Sequence, residues 1–193
     1  MNDVIKRLNW GCGSAGEPGW INSDIKDGPG IDISADILNG LPLGDGFLDY
    51  AVSIHALPEI PYPDIVPVLQ ELRRMLKPGG VLRLALPDLD KNIHAYLRGD
   101  RTYFCPPDSE SGPEFMGIPD EDISSLGGKF IVHLIWYGYV RTLFTADFIE
   151  ELLLKSGFRD VHHCAYRETR SPYADIVALD NRENESLFVE AVK

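Results

Sequence analysis

The sequence contains few cysteines and no long hydrophobic run. Its three cysteines, Cys12, Cys105 and Cys164, are an odd and widely spaced set, so a disulfide framework is not expected and reduced thiols in the cytoplasm are the natural interpretation. The N-terminal segment MNDVIKRLNW lacks an apolar core and a small-residue cleavage site, which indicates no export signal. No apolar run approaches the roughly 20 residues of a membrane span, so we expect no membrane partner.

Basic residues are also scarce. The chain has 18 Lys and Arg residues against 30 Asp and Glu residues, a formal net charge of −12 at pH 7. Such a charge repels nucleic-acid phosphates and anionic lipids, because binding either one requires a basic surface. We therefore expect no nucleic-acid partner. The plain alternative is that the charge serves solubility.

Length and composition fit a single domain over residues 1–193. The hydrophobic fraction of 44% and the charged fraction of 25% are ordinary for a globular protein. The chain contains no internal repeat and no low-complexity segment.

Short apolar runs in the first half surround one periodic helical segment. Between residues 64 and 77 apolar side chains recur at spacings of three and four, which predicts an amphipathic helix that Pro78-Gly79-Gly80 ends. Strand-like runs before and after this helix predict a βαβ unit, and therefore a parallel sheet with helices on its faces. The predicted strands of this half are 7–10, 20–25, 30–37, 47–54 and 81–86.

The second half adds a helix and two closing strands. Thr145 and Gly157 have the residue types of a helix N-cap and C-terminus, which predicts a helix between them. Strands at 159–166 and 186–192 are joined without a helix and should pair antiparallel. The predicted fold class is α/β, with three layers around a mostly parallel sheet that carries an antiparallel C-terminal strand.

An acidic segment rich in proline and glycine, at about 99–128, departs from this pattern. Its weak periodicity predicts an irregular insertion, which is either a lid over a site or a disordered surface loop. Residues 130–143 are aromatic and apolar and predict a helix packed under it.

A glycine-rich turn follows the first predicted strand. Residues 11–16, GCGSAG, fit the pattern G-x-G-x-x-G, which favours NAD when a helix follows and an acidic residue lies about 20 positions on. Here Pro18-Gly19 interrupts the segment, and Asp24 lies only 13 positions after Gly11. The link is too short for an ordinary crossover helix. Either the first helix is reduced to about one turn, or the second strand is not a parallel neighbour of the first.

Several segments together resemble class I S-adenosylmethionine-dependent methyltransferases, of the small bacterial type with a shortened first crossover. The resemblance implies a Rossmann-like sheet and S-adenosyl-L-methionine as cofactor. The segments that carry it are LNWGCG at 8–13, PGWINSDI at 18–25, ADILNGLPLGDGFLDYAVSIHAL at 35–57, LQELRRMLKPGGVLRLALPDL at 69–89 and ESLFVEAVK at 185–193.

The same resemblance implies a set of cofactor-binding residues. Gly11 and Gly13 would line the methionine part of the cofactor. Asp24 would accept hydrogen bonds from the ribose hydroxyls, and Asp36 would meet the adenine amino group with Ile37 against the ring. The plain alternative is that the two aspartates are turn and cap residues.

Candidate catalytic residues follow the fourth and fifth strands. The resemblance places Ser53, a further candidate cofactor-binding residue, and His55 where the fourth strand opens onto the methyl group. His55 is the candidate base for a hydroxyl acceptor. Its plain alternative is a buried histidine bonded to the backbone. Asp88, after the fifth strand, is the second candidate. No metal site is expected, because alternation on a strand puts the neighbours in 162–164 (HHC) on opposite faces.

The predicted function is transfer of a methyl group to a small-molecule acceptor, with a hydroxyl as the candidate group. Segment 54–57 lacks the element that DNA-base methyltransferases share after the fourth strand, which also argues against nucleic acid. One alternative is a cofactor-binding module without catalysis, suggested by Asn9 in place of an acidic residue and by LPE at 57–59 in place of L-E-H. Another is an NAD-dependent oxidoreductase, suggested by the literal glycine pattern. Oligomeric state cannot be inferred.

Overall fold

A seven-stranded mixed sheet forms the centre of the computed structural model, which describes residues 4–14, 16–106 and 116–193. The strand order is β3-β2-β1-β4-β5-β7-β6. The first five strands in this order are parallel, β7 runs antiparallel to β5, and β6 pairs antiparallel with β7. The predicted fold class is confirmed. The strands are β1 Arg7–Trp10, β2 Ile21–Asp24, β3 Ile33–Ser34, β4 Leu48–Ile54, β5 Leu76–Pro87, β6 Arg159–Cys164 and β7 Ser186–Val192.

Within the described residues, five α-helices and several short 3-10 helices accompany the sheet. The α-helices are α1 Tyr62–Met75, α2 Leu89–Leu97, α3 Arg101–Phe104, α4 Leu126–Ile135 and α5 Ala146–Lys155. The 3-10 helices are Ile37–Asn39, Leu57–Glu59, Trp136–Gly138 and Ala174–Val177. No helix in the described ranges is long and apolar enough to cross a membrane.

Helix α1 connects β4 to β5 and confirms the predicted βαβ unit. Its apolar stripe is fully buried, as the spacing of three and four predicts. The helix ends at Met75 rather than at residue 77, because Leu76 already has extended dihedral angles (φ −70°, ψ 143°) and begins β5. The segment Pro78-Gly79-Gly80 therefore lies within the bounds of β5, where Gly79 takes a positive φ of 79°.

The first crossover contains no helix among its described residues. Strands β1 and β2 are nevertheless parallel neighbours, with Leu8 opposite Ile21. The side chain of Asn22 replaces a helix as the support of this link: its Oδ1 accepts the Glu17 backbone N–H at 2.9 Å, and its Nδ2 donates to the Trp20 carbonyl at 3.2 Å. The second strand is thus a parallel neighbour of the first, and residues 11–14 and 16–20 of the crossover form no helix.

Gly16 lets the link pack against the loop that follows β2. The Gly16 N–H donates to the Pro29 carbonyl at 2.9 Å, and a Cβ added at Gly16 would lie 1.9 Å from the Gly30 carbonyl oxygen. Only glycine allows two backbones to approach this closely.

The two faces of the sheet are covered differently. Helices α1 and α5 pack on one face over the main apolar core. The opposite face carries a smaller apolar cluster, in which Tyr50 and Val52 of β4 pack against Trp20 and Ile176. The cover on this face comes from the connection between β6 and β7 rather than from a long helix.

A buried ion-pair network anchors that connection. Arg83 of β5 is fully buried and donates to Asp180 at 2.6 and 2.8 Å and to Glu190 at 2.7 Å. Burial of the guanidinium costs solvation, which the two carboxylates offset through charge-assisted hydrogen bonds. The network holds the residues just before β7 against the sheet.

Short helical segments occupy both ends of the segment 99–128, and its assignment as an irregular insertion stays a prediction. Helix α3 forms at Arg101–Phe104 and α4 begins at Leu126, within the segment predicted to lack structure. Residues 107–115, on which the alternatives of lid and disordered loop depend, lie outside the described residues. The helix predicted at 130–143 is α4, which ends at Ile135 where Trp136 takes a left-handed conformation. The single-domain assignment of 1–193 stays a prediction.

The last predicted helix is confirmed as α5, but its start differs in detail. Thr145 occupies the N-cap position without accepting a backbone N–H, and its hydroxyl donates instead to Asp147 Oδ1 at 2.5 Å. Gly157 closes the helix with a φ of 89°, a conformation that favours glycine.

Candidate active site

A cavity of about 810 Å³ opens at the carboxyl ends of the central strands. It lies where the strand order reverses between β1 and β4, which is where open α/β sheets bind ligands. The structure brings six of the eight predicted site residues into its lining. These six are Gly11, Gly13, Asp24, Asp36, Ile37 and His55.

The glycine corner after β1 is built by close backbone contact. Gly11 has a φ of 69°, and a Cβ at this position would lie 2.1 Å from the Ala56 Cβ, in the segment that follows β4. Gly13 has a φ of 77°, but an added Cβ there would meet nothing within 4 Å. Packing therefore requires glycine at position 11, whereas at position 13 only the backbone conformation favours glycine.

Asp24 connects this corner to the end of β2. Its Oδ2 accepts the Gly13 backbone N–H at 2.9 Å and its Oδ1 accepts that of Lys26 at 3.1 Å. A carboxylate has about four lone-pair sites, so these bonds leave acceptor capacity that faces the cavity. Asp24 is thus a turn residue and a cavity residue together.

Asp36 has a comparable double position. Its Oδ1 accepts the Leu38 backbone N–H at 3.0 Å and caps the 3-10 helix Ile37–Asn39, whose first residue is buried. The cap was the plain alternative for this residue. It coexists with the place of Asp36 in the cavity lining.

Asn9 of β1 lines the cavity, and its side chain is also bonded to the link. It is buried, and its Nδ2 donates to Asn22 Oδ1 at 3.1 Å. The exposed carboxylate of Glu17 lines the same cavity from within the link. Burial, followed by the negative charge of Asp24, raises the pKa of the Cys12 thiol in this corner. No sequence pattern indicated Glu17.

His55 is a strained and electrically neutral residue at the end of β4. Its φ of 57° is left-handed, its Nε2 lies 2.7 Å from Ser186 Oγ, and its buried Nδ1 has no hydrogen-bond partner among the described residues. Burial, reinforced by the charges of Arg182 and His133, lowers the pKa of His55 well below its ordinary value. The predicted bond to backbone is replaced by one to a side-chain hydroxyl.

Ser53 and Asp88 are not brought into the cavity lining, which departs from their predicted roles. Ser53 is buried within β4, and its hydroxyl has no partner in the described ranges. Asp88 caps α2, where its Oδ1 accepts the backbone N–H groups of Asp90 and Lys91 at 3.0 and 3.2 Å. A strand-end position alone did not show which way either side chain is directed.

Aromatic residues of the segment after α4 complete one wall of the cavity. Trp136 and Tyr139 line it, whereas Tyr137 is exposed and His133 is buried against Glu185 at 3.1 Å. The left-handed conformation at Trp136 and Tyr137 (φ 40° and 53°) rotates the chain away from helical periodicity.

Two arginines that no motif indicated also line the cavity. Arg141 follows the aromatic wall, and its backbone N–H donates to the Pro58 carbonyl at 2.8 Å. Arg182 precedes β7, with its Nε 3.7 Å from Glu185 Oε1 and its Nη1 3.1 Å from Met116 Sδ. Both come from segments distant in sequence from the glycine corner.

Within the described ranges, no group of three or more His, Cys, Asp or Glu side chains could hold a metal ion. The charged and aromatic groups in the cavity lining are carboxylates, guanidinium groups, one histidine and aromatic rings.

Sequence comparison points to one family. Residues 22–84 match the family model described as "Methyltransferase domain". A curated protein, a probable methyltransferase from Aspergillus luteorubrus, is 43% identical over 60 residues. That match spans 30% of this chain and 21% of the relative, so it covers about a fifth of the relative's length.

Solved structures with the same fold cover nearly the whole chain. One is a methyltransferase from Thermotoga maritima, described as a possible histamine N-methyltransferase. It aligns with a TM-score of 0.55 and 15% identity, and the alignment covers 97% of this chain and 82% of that protein. An S-adenosylmethionine-dependent methyltransferase from Mesorhizobium loti aligns with a TM-score of 0.53 and 16% identity over 100% and 94%. These likenesses confirm that the chain has the class I S-adenosylmethionine-dependent methyltransferase fold.

We predict that Gly11→Ala lowers the free energy of unfolding more than Gly13→Ala does. Both alanines would occupy a left-handed conformation, which costs about 1–2 kcal/mol. Only the first would collide with Ala56, which should add about 1–3 kcal/mol. Urea unfolding measures the difference, and the double variant Gly11→Ala/Ala56→Gly should recover the added part. Equal losses for the two single variants would contradict the packing that we describe.

We also predict that His55 makes the protein less stable as the pH falls. Its pKa in the folded state is lowered, so the unfolded chain binds the proton first, below an ordinary value of about 6.5. The stabilisation is therefore complete above that pH and is lost as the pH falls below it, by up to about 1.4 kcal/mol per pH unit. Between pH 7 and pH 5, the free energy of unfolding should fall by about 1–2 kcal/mol less in His55→Gln than in the unaltered protein. Identical losses in the variant and the unaltered protein would argue against a buried neutral imidazole.

Proposed function

We propose that this chain is an S-adenosylmethionine-dependent methyltransferase that moves a methyl group to a small-molecule acceptor. One observation carries the proposal: the glycine corner, Asp24 and Asp36 line a single cavity at the point where the strand order reverses. Two acidic side chains at successive strand ends suit the hydroxyl and amino donors of an adenosyl group.

The residues present fit the cofactor. The cavity volume of about 810 Å³ falls within the range of about 300–1,000 Å³ typical of small-molecule sites. Open space beside Gly13 leaves room for a ligand to lie against the backbone. The carboxylates of Glu17, Asp24 and Asp36 suit a ligand that carries a sulfonium and an amino group.

Each residue would hold one part of this ligand. In the proposal Asp24 accepts hydrogen bonds from the ribose hydroxyls, while its bond to Gly13 keeps the carboxylate in place. Asp36 accepts from the adenine amino group, and Ile37 packs against the ring. Gly11 and Gly13 lie along the methionine part.

Methyl transfer depends mainly on the alignment of the two reactants. When bound, S-adenosylmethionine supplies an electrophilic methyl group, and its thioether leaves without a proton. The cavity residues orient the two reactants and exclude water, effects worth up to about 7–11 kcal/mol in favourable cases. Trp136 and Tyr139 supply the apolar wall for this purpose.

His55 is our candidate base for a hydroxyl acceptor. Its imidazole is neutral and can accept a proton, and its Nε2 already lies 2.7 Å from the Ser186 hydroxyl, which orients the ring. Asp88 and Ser53 are outside the cavity lining and take no part in the proposal.

Partner and location complete the proposal. The acidic net charge of −12 favours a small molecule over nucleic acid. A cytoplasmic location is favoured by Cys12, Cys105 and Cys164, all of which are free thiols.

A second candidate function is cofactor binding without catalysis. Asn9 removes a charge from the corner, and the 3-10 helix Leu57–Glu59 departs from the family's usual segment after the fourth strand. Turnover separates the two: production of S-adenosylhomocysteine from a pool of small-molecule acceptors supports the enzyme. Tight cofactor binding with no product from any pool supports the module.

We predict that calorimetry detects micromolar binding of S-adenosylmethionine and no comparable binding of NAD or NADH. Asp24→Asn should weaken this binding by about 1–3 kcal/mol, because the ribose hydroxyls lose a charged acceptor. Asp90→Asn, at an exposed position of α2, removes the same charge away from the cavity and should leave affinity unchanged. Micromolar binding of NAD alone would overturn the proposed function, and unchanged affinity in a folded Asp24→Asn protein would remove the ribose role.

A further inference from the structure

We propose that the carboxylate of Glu59 binds the α-ammonium group of S-adenosylmethionine. The inference rests on the proposed function and adds a cofactor-binding residue that follows β4 to those that follow β1, β2 and β3. It comes from the position of this side chain: the carboxylate lines the cavity, and in the described part of the chain it accepts no hydrogen bond and forms no ion pair.

The 3-10 helix Leu57–Glu59 directs Glu59 towards the glycine corner. Its N-cap residue Ala56 already has helical dihedral angles (φ −88°, ψ −37°), and the Glu59 N–H donates to the Ala56 carbonyl at 3.0 Å. Side chains three residues apart eclipse each other in a 3-10 helix. Ala56 faces Gly11, because a Cβ added at Gly11 would lie 2.1 Å from the Ala56 Cβ. Glu59 therefore projects from the side of its helix that faces this corner.

Hydrogen bonds on both sides of Glu59 hold its backbone in place. Pro58 is buried, and its carbonyl accepts the backbone N–H groups of Arg141 and Thr142 at 2.8 and 3.1 Å. The Thr142 hydroxyl donates to the Ile60 carbonyl at 2.7 Å. Because the backbone is anchored before a ligand arrives, binding at Glu59 costs little further ordering of the chain.

The electrostatic setting of Glu59 favours a cationic ligand. Burial, followed by the negative charge of Asp24, raises the pKa of Glu59. Lys26 and Arg141 act in the opposite direction, but within the described residues neither forms an ion pair with Glu59. A cation placed beside this carboxylate would favour its charged form. The influence of Asp24 also agrees with a position of Glu59 at the glycine corner.

Of the two cationic groups of S-adenosylmethionine, the ammonium suits Glu59 better than the sulfonium. The ammonium has three N–H donors and the sulfonium has none, whereas a carboxylate without partners offers only acceptors. In the proposed arrangement Gly11 lies along the methionine part, which carries the ammonium. Asp24 at the same corner already accepts the backbone N–H groups of Gly13 and Lys26 and is assigned to the ribose. Glu59 is therefore the carboxylate that we assign to the ammonium.

The test compares three ligands by calorimetry: S-adenosylhomocysteine, its analogue in which hydrogen replaces the amino group, and methylthioadenosine, which lacks the whole amino-acid part. Glu59→Gln should weaken S-adenosylhomocysteine binding about 10-fold or more, because a hydrogen bond between two charged groups is lost. Its affinity for methylthioadenosine should stay within about 2-fold of the unaltered protein's, because the pair that the variant removes is absent there. The analogue without the amino group should bind the unaltered protein about 10-fold more weakly than S-adenosylhomocysteine does, and Glu59→Gln should not weaken it further.

Two further variants separate a contact from a general effect of charge. Glu168→Gln, at an exposed position outside the cavity lining, removes the same charge and should change none of the three affinities. Glu17→Gln removes the other exposed glutamate of the lining and shows whether the ammonium lies at the first crossover instead. Glu59 is itself exposed, so its variant should fold, and urea unfolding checks this.

Unchanged S-adenosylhomocysteine binding in a folded Glu59→Gln protein would overturn the inference. Equal weakening of S-adenosylhomocysteine and methylthioadenosine would also overturn it, because Glu59 would then act on the adenosyl part. A loss in Glu17→Gln with none in Glu59→Gln would assign the ammonium to the crossover. If the unaltered protein binds neither S-adenosylhomocysteine nor methylthioadenosine, the proposed function itself fails, which is a separate and recognisable result.

Discussion

The hydrogen bond from the Gly13 backbone to the Asp24 carboxylate is the contact on which the cavity depends. It joins the turn after β1 to the end of β2 at 2.9 Å, and the described residues of this crossover form no helix that could hold the two strands together. The side chain of Asn22 stabilises the same link through its hydrogen bonds to the backbone of Glu17 and Trp20. A crossover this short brings the carboxylate directly beside the glycine corner. The short crossover therefore also shapes the side of the cavity that we propose for the cofactor.

The opposite side of the cavity depends on the other end of the chain. Arg83 fixes Asp180 against the sheet, and the turn that begins at Arg182 then leads into β7. Ser186 in that turn contacts His55. The buried ion pairs of Arg83 hold the connection between β6 and β7 on the face of the sheet that carries the smaller apolar cluster. Residues that are far apart in sequence therefore meet at the end of β4.

Local sequence patterns predicted most of the fold, and six of the eight candidate site residues lie in the cavity lining. Strands β1 and β7 match their predicted bounds, and the glycine turn and Asp24 lie where strand-end reasoning put them, because each depends on contacts within a short segment. Arg182 and Arg141 could not be predicted in this way. Their positions depend on left-handed residues and on hydrogen bonds between distant segments, which leave no periodic signal. Asp88 is a strand-end acid that the structure places as the cap of α2 and outside the cavity lining, which its position in the sequence did not indicate.

The central claim is that an adenosyl group lies between Asp24 and Asp36, against the glycine corner. The most direct measurement is a crystal structure of the protein with S-adenosylhomocysteine bound. The account predicts ribose hydroxyls within hydrogen-bond distance of the Asp24 carboxylate, the adenine amino group at Asp36, and the thioether directed towards His55. A nucleoside bound elsewhere, or bound in this cavity with no contact to Asp24, would contradict it.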